Sequence, residues 1–188
     1  MRTKLYFDNN AWDVLFKFNV NINSELPSSE YEILITKEAE FEIPGMPAEK
    51  REYVDKSMKL SDVKTDTYFG YYNPAFSSDE QRVAGYGSVD DHKIGGRYAT
   101  LAEAEFLKDE SLTISKTKKK TGLFGNEADV SLGARSLIEV VVTGDDKKAL
   151  KRARTNWGGS IIDIKKYDGS IPFRDFLISE IAALRNDS

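Results

Sequence analysis

Leu5-Tyr6-Phe7-Asp8-Asn9-Asn10-Ala11-Trp12 is the stretch from which the fold is read. Its first three residues make a short apolar strand, which an acid and two asparagines end. Ala11, Val14, Leu15 and Phe18 then recur at helical spacing, with Asn9 or Asn10 placed to cap the helix. The same pattern returns later: Ile138 to Val142 is apolar or β-branched except for Glu139, and Thr143-Gly144 leads into the acids Asp145-Asp146. In an open parallel sheet, side chains at the carboxyl ends of neighbouring strands converge on one crevice, so acids far apart in sequence can meet there.

Between these strands, Glu32 to Thr36 is a second β-rich run and a helical stretch follows from Lys37. Pro44-Gly45-Met46-Pro47 interrupts it, because proline lacks the amide donor of a helix interior, and a new helix is expected from near Pro47 toward Leu60. Residues 61 to 97 mix Tyr68, Phe69, Tyr71, Tyr72 and Phe76 with five glycines and polar residues, a composition expected to give short helices and loops. Helices are further expected over Tyr98 to Lys108, Asp145 to Thr155 and Phe173 to Leu184, and a strand over Ser160 to Ile164. Ser111 to Gly125 has the composition of a mobile connection. Strands alternating with helices predict an α/β architecture with a mostly parallel, twisted central sheet.

At 188 residues and 40% hydrophobic content the chain supports one full core, so a single domain over 1–188 is expected, enlarged by a helical and loop region at about 44–125. The absence of cysteine removes disulfides, thiolate metal sites and thiol nucleophiles together, and favours a reducing, cytoplasmic setting. Met1-Arg2-Thr3-Lys4 leads directly into a strand, and no run of about 18 apolar residues occurs, so neither export nor a membrane span is expected. Net charge is −4, so an anionic substrate would have to be held locally. The bases cluster at Lys116, Lys118, Lys119 and Lys120, and at Lys147, Lys148, Lys151, Arg152 and Arg154; such runs are commonly solvated faces.

Four acids have positions at one sheet edge: Asp8 after the first strand, Glu42 on the helix after the second, Asp129 at the start of a later helix, and Asp145 after the Ile138–Val142 strand. Singly, Asp129 and Asp145 suit helix N-termini and Asp8 suits a turn. Together they need a further reason, because two carboxylates about 4 Å apart repel by about 4 kcal/mol at an effective dielectric of about 20. A divalent cation removes that cost, and hard oxygen ligands select magnesium or manganese, ions that commonly bind substrate phosphate as well.

Tyr6-Phe7-Asp8-Asn9-Asn10-Ala11-Trp12, Ile35-Thr36-Lys37-Glu38-Ala39-Glu40-Phe41-Glu42-Ile43, Asn126-Glu127-Ala128-Asp129-Val130-Ser131-Leu132 and Val142-Thr143-Gly144-Asp145 occur in the order and spacing of PIN-domain nucleases, which the chain resembles over roughly residues 3 to 43 and 126 to 166. The resemblance implies a PIN-like three-layer sandwich and metal-dependent cleavage of single-stranded RNA, often by the toxin of a toxin–antitoxin pair. It implies catalytic and metal-holding roles for Asp8, Glu42, Asp129 and Asp145, and supporting roles for Asn10 and Thr143. Glu38 and Glu40 compete with Glu42 for the second position, which falls to Glu42 by its distance from Thr36. Asp146 and Glu127 stand as alternates to their neighbours. Lys147, Lys148 and Lys151, or the lysines at 116 to 120, would guide the RNA backbone, and an antitoxin protein or a second copy would be the partner.

Other chemistries fit less well. With His92 the only histidine, in Asp90-Asp91-His92-Lys93, and no Gly-x-Ser-x-Gly elbow, a serine or thiol triad is excluded and zinc is disfavoured. Gly85-Tyr86-Gly87 lacks a third glycine, and no P-loop occurs. A haloacid-dehalogenase-type phosphatase also begins with Asp after the first strand, but needs an acid where this chain has Asn10. A non-catalytic module that keeps the fold and binds protein or RNA through the enlarged region is the alternative of a different class.

Overall fold

The computed structural model describes residues 2–69, 99–115, 117 and 123–186. The expectations for Tyr71, Tyr72, Phe76, His92 and the lysines at 116 and 118–120 lie outside them, as do the glycines at 85, 87, 95 and 96.

The described elements run β1 (Thr3–Phe7), α1 (Ala11–Lys17), α2 (Ile22–Glu25), β2 (Tyr31–Thr36), α3 (Lys37–Glu40), α4 (Ala48–Leu60), β3 (Lys64–Asp66), α5 (Leu101–Glu110), α6 (Glu127–Arg135), β4 (Val140–Thr143), α7 (Lys148–Trp157), β5 (Ile161–Asp163) and α8 (Phe173–Asn186). The five strands form one sheet in the order β3-β2-β1-β4-β5, with every neighbouring pair parallel. The chain builds one side of β1 first and then returns to the other. Strand order therefore reverses between β1 and β4, and in open parallel sheets ligands bind outside the carboxyl ends of the strands at such a switch.

Period-two alternation assigns the two faces. Leu5, Phe7, Ile33, Ile35, Val142 and Ile162 point to one core with Trp12 and Leu15 of α1, Val54 of α4, and Phe173 and Leu177 of α8. Tyr6, Leu34, Val141 and Ile161 point to the other, with Phe106 of α5, Val130 and Leu132 of α6, and Leu150 and Ala153 of α7. The result is a three-layer α/β arrangement, its sheet flanked by helices on both faces. At Gly133 a Cβ would stand 2.8 Å from Phe106 Cζ, so glycine permits the close approach of α5 and α6.

Several local expectations need correction. A strand, β3, stands where loops and short helices were expected. Among the described residues Lys64-Thr65-Asp66 pairs only with β2, so its polar side chains carry no apolar strand signal. The 138–142 strand starts later, at Val140; Ile138 is exposed and belongs to the turn after α6. The helix expected from Asp145 begins at Lys148, and the one expected from Tyr98 begins at Leu101, where Thr100 and Glu103 form a capping box. Asn10 occupies the N-cap position of α1 but makes no side-chain capping bond. α3 ends at Glu40, so Glu42 lies beyond it, at the entry to a short 3-10 turn over Ile43–Gly45.

Candidate metal site at the strand ends

Asp8 continues β1 by one residue, its amide donating to the Val142 carbonyl of β4 at 3.1 Å. That bond places its carboxylate at the switch between β1 and β4. Oδ1 accepts from the Asn9 amide at 2.7 Å; Oδ2 accepts from Asn10 Nδ2 at 2.6 Å and from the Thr143 hydroxyl at 2.7 Å. Asn10 spans the gap, because its Oδ1 accepts from the Gly144 amide at 2.5 Å. The amide that could have capped α1 instead ties the exit of β1 to the exit of β4.

Asp8 is only 9% exposed, and its pKa is raised from 3.8 to about 6. Burial is the chief cause, opposed by the bonds from Thr143 and the Asn9 amide, while the charges of Asp129 and Glu42 push it up further. Acids from two other elements thus act on Asp8 here. Asp129 comes from the first turn of α6, and Glu42 from the connection after α3.

Asn9 holds Glu42 in place. Its Nδ2 donates to Glu42 Oε2 at 3.0 Å and to the Ala39 carbonyl at 2.9 Å, and its own carbonyl accepts from Lys50 Nζ at 3.4 Å. Lys50, buried on α4, also reaches Asp13 of α1 at 2.6 Å. The other glutamates of the triplet go elsewhere. Glu40 accepts from Lys37 and from the Thr65 hydroxyl, on the β3 side of the sheet. Glu38 is buried against Ser131 and Arg135 of α6; burial is the main cause of its raised pKa, the Arg135 charge opposes it, and Glu127 adds to it.

Glu127 accepts from the Phe124 amide at 2.9 Å, and so serves the entry to α6. Asp145 joins the site through Thr143, whose Oγ1 accepts its amide at 2.9 Å; its carboxylate accepts from the Lys147 amide at 2.9 Å in the turn before α7. Asp146 is exposed, 4.0 Å from Lys165. Lys147, Lys148 and Lys151 are exposed at the start of α7, and Lys148 Nζ donates to Asn126 Oδ1 at 2.6 Å.

Sequence reasoning missed Asn9, Lys50 and Lys165. Asn9 was visible as the first of two asparagines after Asp8, but α1 offered a simpler use for it. Lys50 and Lys165 carry no local signal, since their placement depends on contacts between separate elements.

Among the described residues no three acids stand close enough together to form a ready-made cage. Magnesium commonly uses one or two carboxylates and completes its shell with water and substrate oxygens. The donor set here is all oxygen, and Asn9 Oδ1 is a buried acceptor without a partner. That combination fits a hydrated hard cation. Comparison with models of known families, with curated proteins and with solved structures finds no match to this chain.

Proposed function

We propose that this chain is a PIN-like, magnesium- or manganese-dependent endoribonuclease that hydrolyses phosphodiester bonds of single-stranded RNA. The observation that carries the reading is a buried carboxylate, Asp8, at the strand-order switch, raised to a pKa of about 6 with Asp129 and Glu42 acting on it. Such an arrangement costs stability unless positive charge is brought to it, which is a reason to keep it for function.

Asp8, Glu42, Asp129 and Asp145 would hold the ion or ions, with Asp146 and Glu127 as alternates; Glu38, turned to Ser131 and Arg135, would not. Bound magnesium or manganese supplies an activated water and neutralises charge building on the phosphate. The chain's own part is orientation. Thr143 and Asn10 fix the Asp8 carboxylate, and Asn9 fixes Glu42, so the acceptors are set before substrate arrives. Lys147, Lys148 and Lys151 lie exposed beyond Asp145 and would take the RNA backbone. The same reading allows the chain to be the toxin of a toxin–antitoxin pair, with an antitoxin protein or a second copy of the chain as partner. No helix among the described residues is long and apolar enough to cross a membrane.

The test is cleavage of end-labelled single-stranded RNA by purified protein with manganese, with EDTA, and with Asp8→Asn and Asp145→Asn. Cleavage lost in EDTA and in both variants supports the reading. No cleavage of a varied RNA pool, with no metal-induced rise in melting temperature, favours a non-catalytic interaction module.

A further inference from the structure

We infer that single-stranded nucleic acid crosses the carboxyl edge of the sheet from Phe41 to Lys165, with a base stacked on the Phe41 ring and a phosphate on the Lys165 ammonium. The inference rests on the nuclease reading and adds the path of the substrate to it.

Phe41 is 40% exposed, while Ala39 and Ile43 on either side of it lie in the core. Single exposed apolar side chains are ordinary. What distinguishes Phe41 is its anchorage. Asn9 Nδ2 bonds the Ala39 carbonyl before it and the Glu42 carboxylate after it, so the ring is carried on backbone tied to the residue next to Asp8. An exposed, positioned aromatic beside a nuclease site suits base stacking, which is indifferent to sequence.

Lys165 stands on the other side. It follows β5, where the Asp163 carboxylate accepts its amide at 3.0 Å. Its stem lies along Gly144: a Cβ built there would meet Lys165 Cγ at 3.6 Å and Asn10 Oδ1 at 3.3 Å. The Lys165 side chain is 52% exposed and its ammonium is 4.0 Å from Asp146, a contact loose enough to be exchanged for a phosphate. Phe41 and Lys165 therefore flank the peptides that Asn9 and Asn10 clamp. Phe41 follows the end of β2 after α3, and Lys165 follows the end of β5; those strand ends are three strand spacings apart, about 14 Å, with β1, which Asp8 extends, between them. A strand of nucleic acid following this edge would pass over the acids.

The two contacts have different signatures, so binding can separate them. The full chain carrying Asp8→Asn would be titrated, in EDTA, into a fluorescein-labelled mixed-sequence single-stranded RNA and followed by anisotropy at several salt concentrations. Adding Phe41→Leu is expected to weaken binding roughly fivefold to a hundredfold without changing the salt dependence, and Phe41→Trp to restore it. Adding Lys165→Gln is expected to lower the slope of log affinity against log salt by about 0.7, and Lys165→Arg to restore it. Melting curves confirm that each variant is folded. If the Asp8→Asn parent binds RNA and both variants match it in affinity and slope, the proposed path is wrong while the nuclease reading survives. If the parent binds no RNA and the wild type cleaves none, both fall.

Discussion

The Thr143 hydroxyl donates to Asp8 Oδ2 at 2.7 Å across 135 positions of sequence, and its own Oγ1 accepts from the Asp145 amide at 2.9 Å. One small side chain therefore joins the two acidic strand exits. Thr143→Val keeps the shape and removes both bonds. It is expected to cost about 1–3 kcal/mol in urea melts, to raise the Asp8 pKa further, and to weaken manganese binding. Thr143→Ser should recover most of each. Equal stability and metal affinity in the valine variant would mean that the hydroxyl does not organise the site.

Asp8 makes metal-free stability depend on pH. Its carboxyl binds a proton more tightly in the folded chain than in the unfolded one, so the native state holds more protons between 3.8 and about 6. Stability is expected to fall as pH rises through that window, by up to about 3 kcal/mol from this group. Asp8→Asn removes the dependence, and the variant should melt higher than wild type at pH 8 and at about the same temperature near pH 4. Melting in EDTA across that range checks it; a variant less stable than wild type at pH 8 would make Asp8 a structural residue.

The three glutamates after β2 should separate by phenotype. Glu42→Gln is expected to cut cleavage by tenfold or more (about 1.4 kcal/mol or more of barrier) with stability unchanged or higher, because the Glu42 charge repels the Asp8 carboxylate. Glu38→Gln should keep activity and gain stability increasingly as pH rises, since burial raises its pKa and the cost of ionising it disappears. Glu40→Gln should loosen the contacts with Lys37 and Thr65 and do little else. Steady-state cleavage beside melting curves distinguishes them, and full activity in Glu42→Gln would move the second acid elsewhere.

Arg135 is fully buried at the end of α6, and its expected contribution is structural. It reaches Asp66 at 2.9 Å, the Thr67 carbonyl at 2.6 Å and the Ser131 hydroxyl at 2.5 Å, and it lies 4.5 Å from the Phe69 ring centroid. Arg135→Met leaves Asp66 without this charge partner and should cost about 3–5 kcal/mol by chemical denaturation. Arg135→Lys should recover little, because one ammonium cannot serve the three directions of the guanidinium fork. A lysine variant as stable as wild type would contradict this.

Features carried by local pattern were legible in the sequence. Strands β1, β2 and β4, the helices that follow, and the pairing of Asp8 with the Thr143–Asp145 turn all show in short runs of apolar and acidic residues. β3 was not, since Lys64-Thr65-Asp66 is a short polar strand held by distant partners, with Lys64 near Glu32 and Asp66 receiving Tyr6 and Arg135. Asn10 could serve either a helix cap or a strand clamp, and only the position of Gly144 decides between them. Glu38, Glu40 and Glu42 alternate in sequence, and what separates them is non-local: Ser131 and Arg135 beside the first, Thr65 at the second, Asn9 at the third.

The claim on which the rest depends is that a divalent cation binds at Asp8. Manganese titrated into metal-free protein at pH 7.5, with free ion counted by its electron paramagnetic resonance signal, measures this without reference to any substrate. Saturable binding by wild type, lost in Asp8→Asn and weakened in Glu42→Gln, is the expected result. Binding of equal strength in wild type and Asp8→Asn, or none up to millimolar manganese, would contradict it.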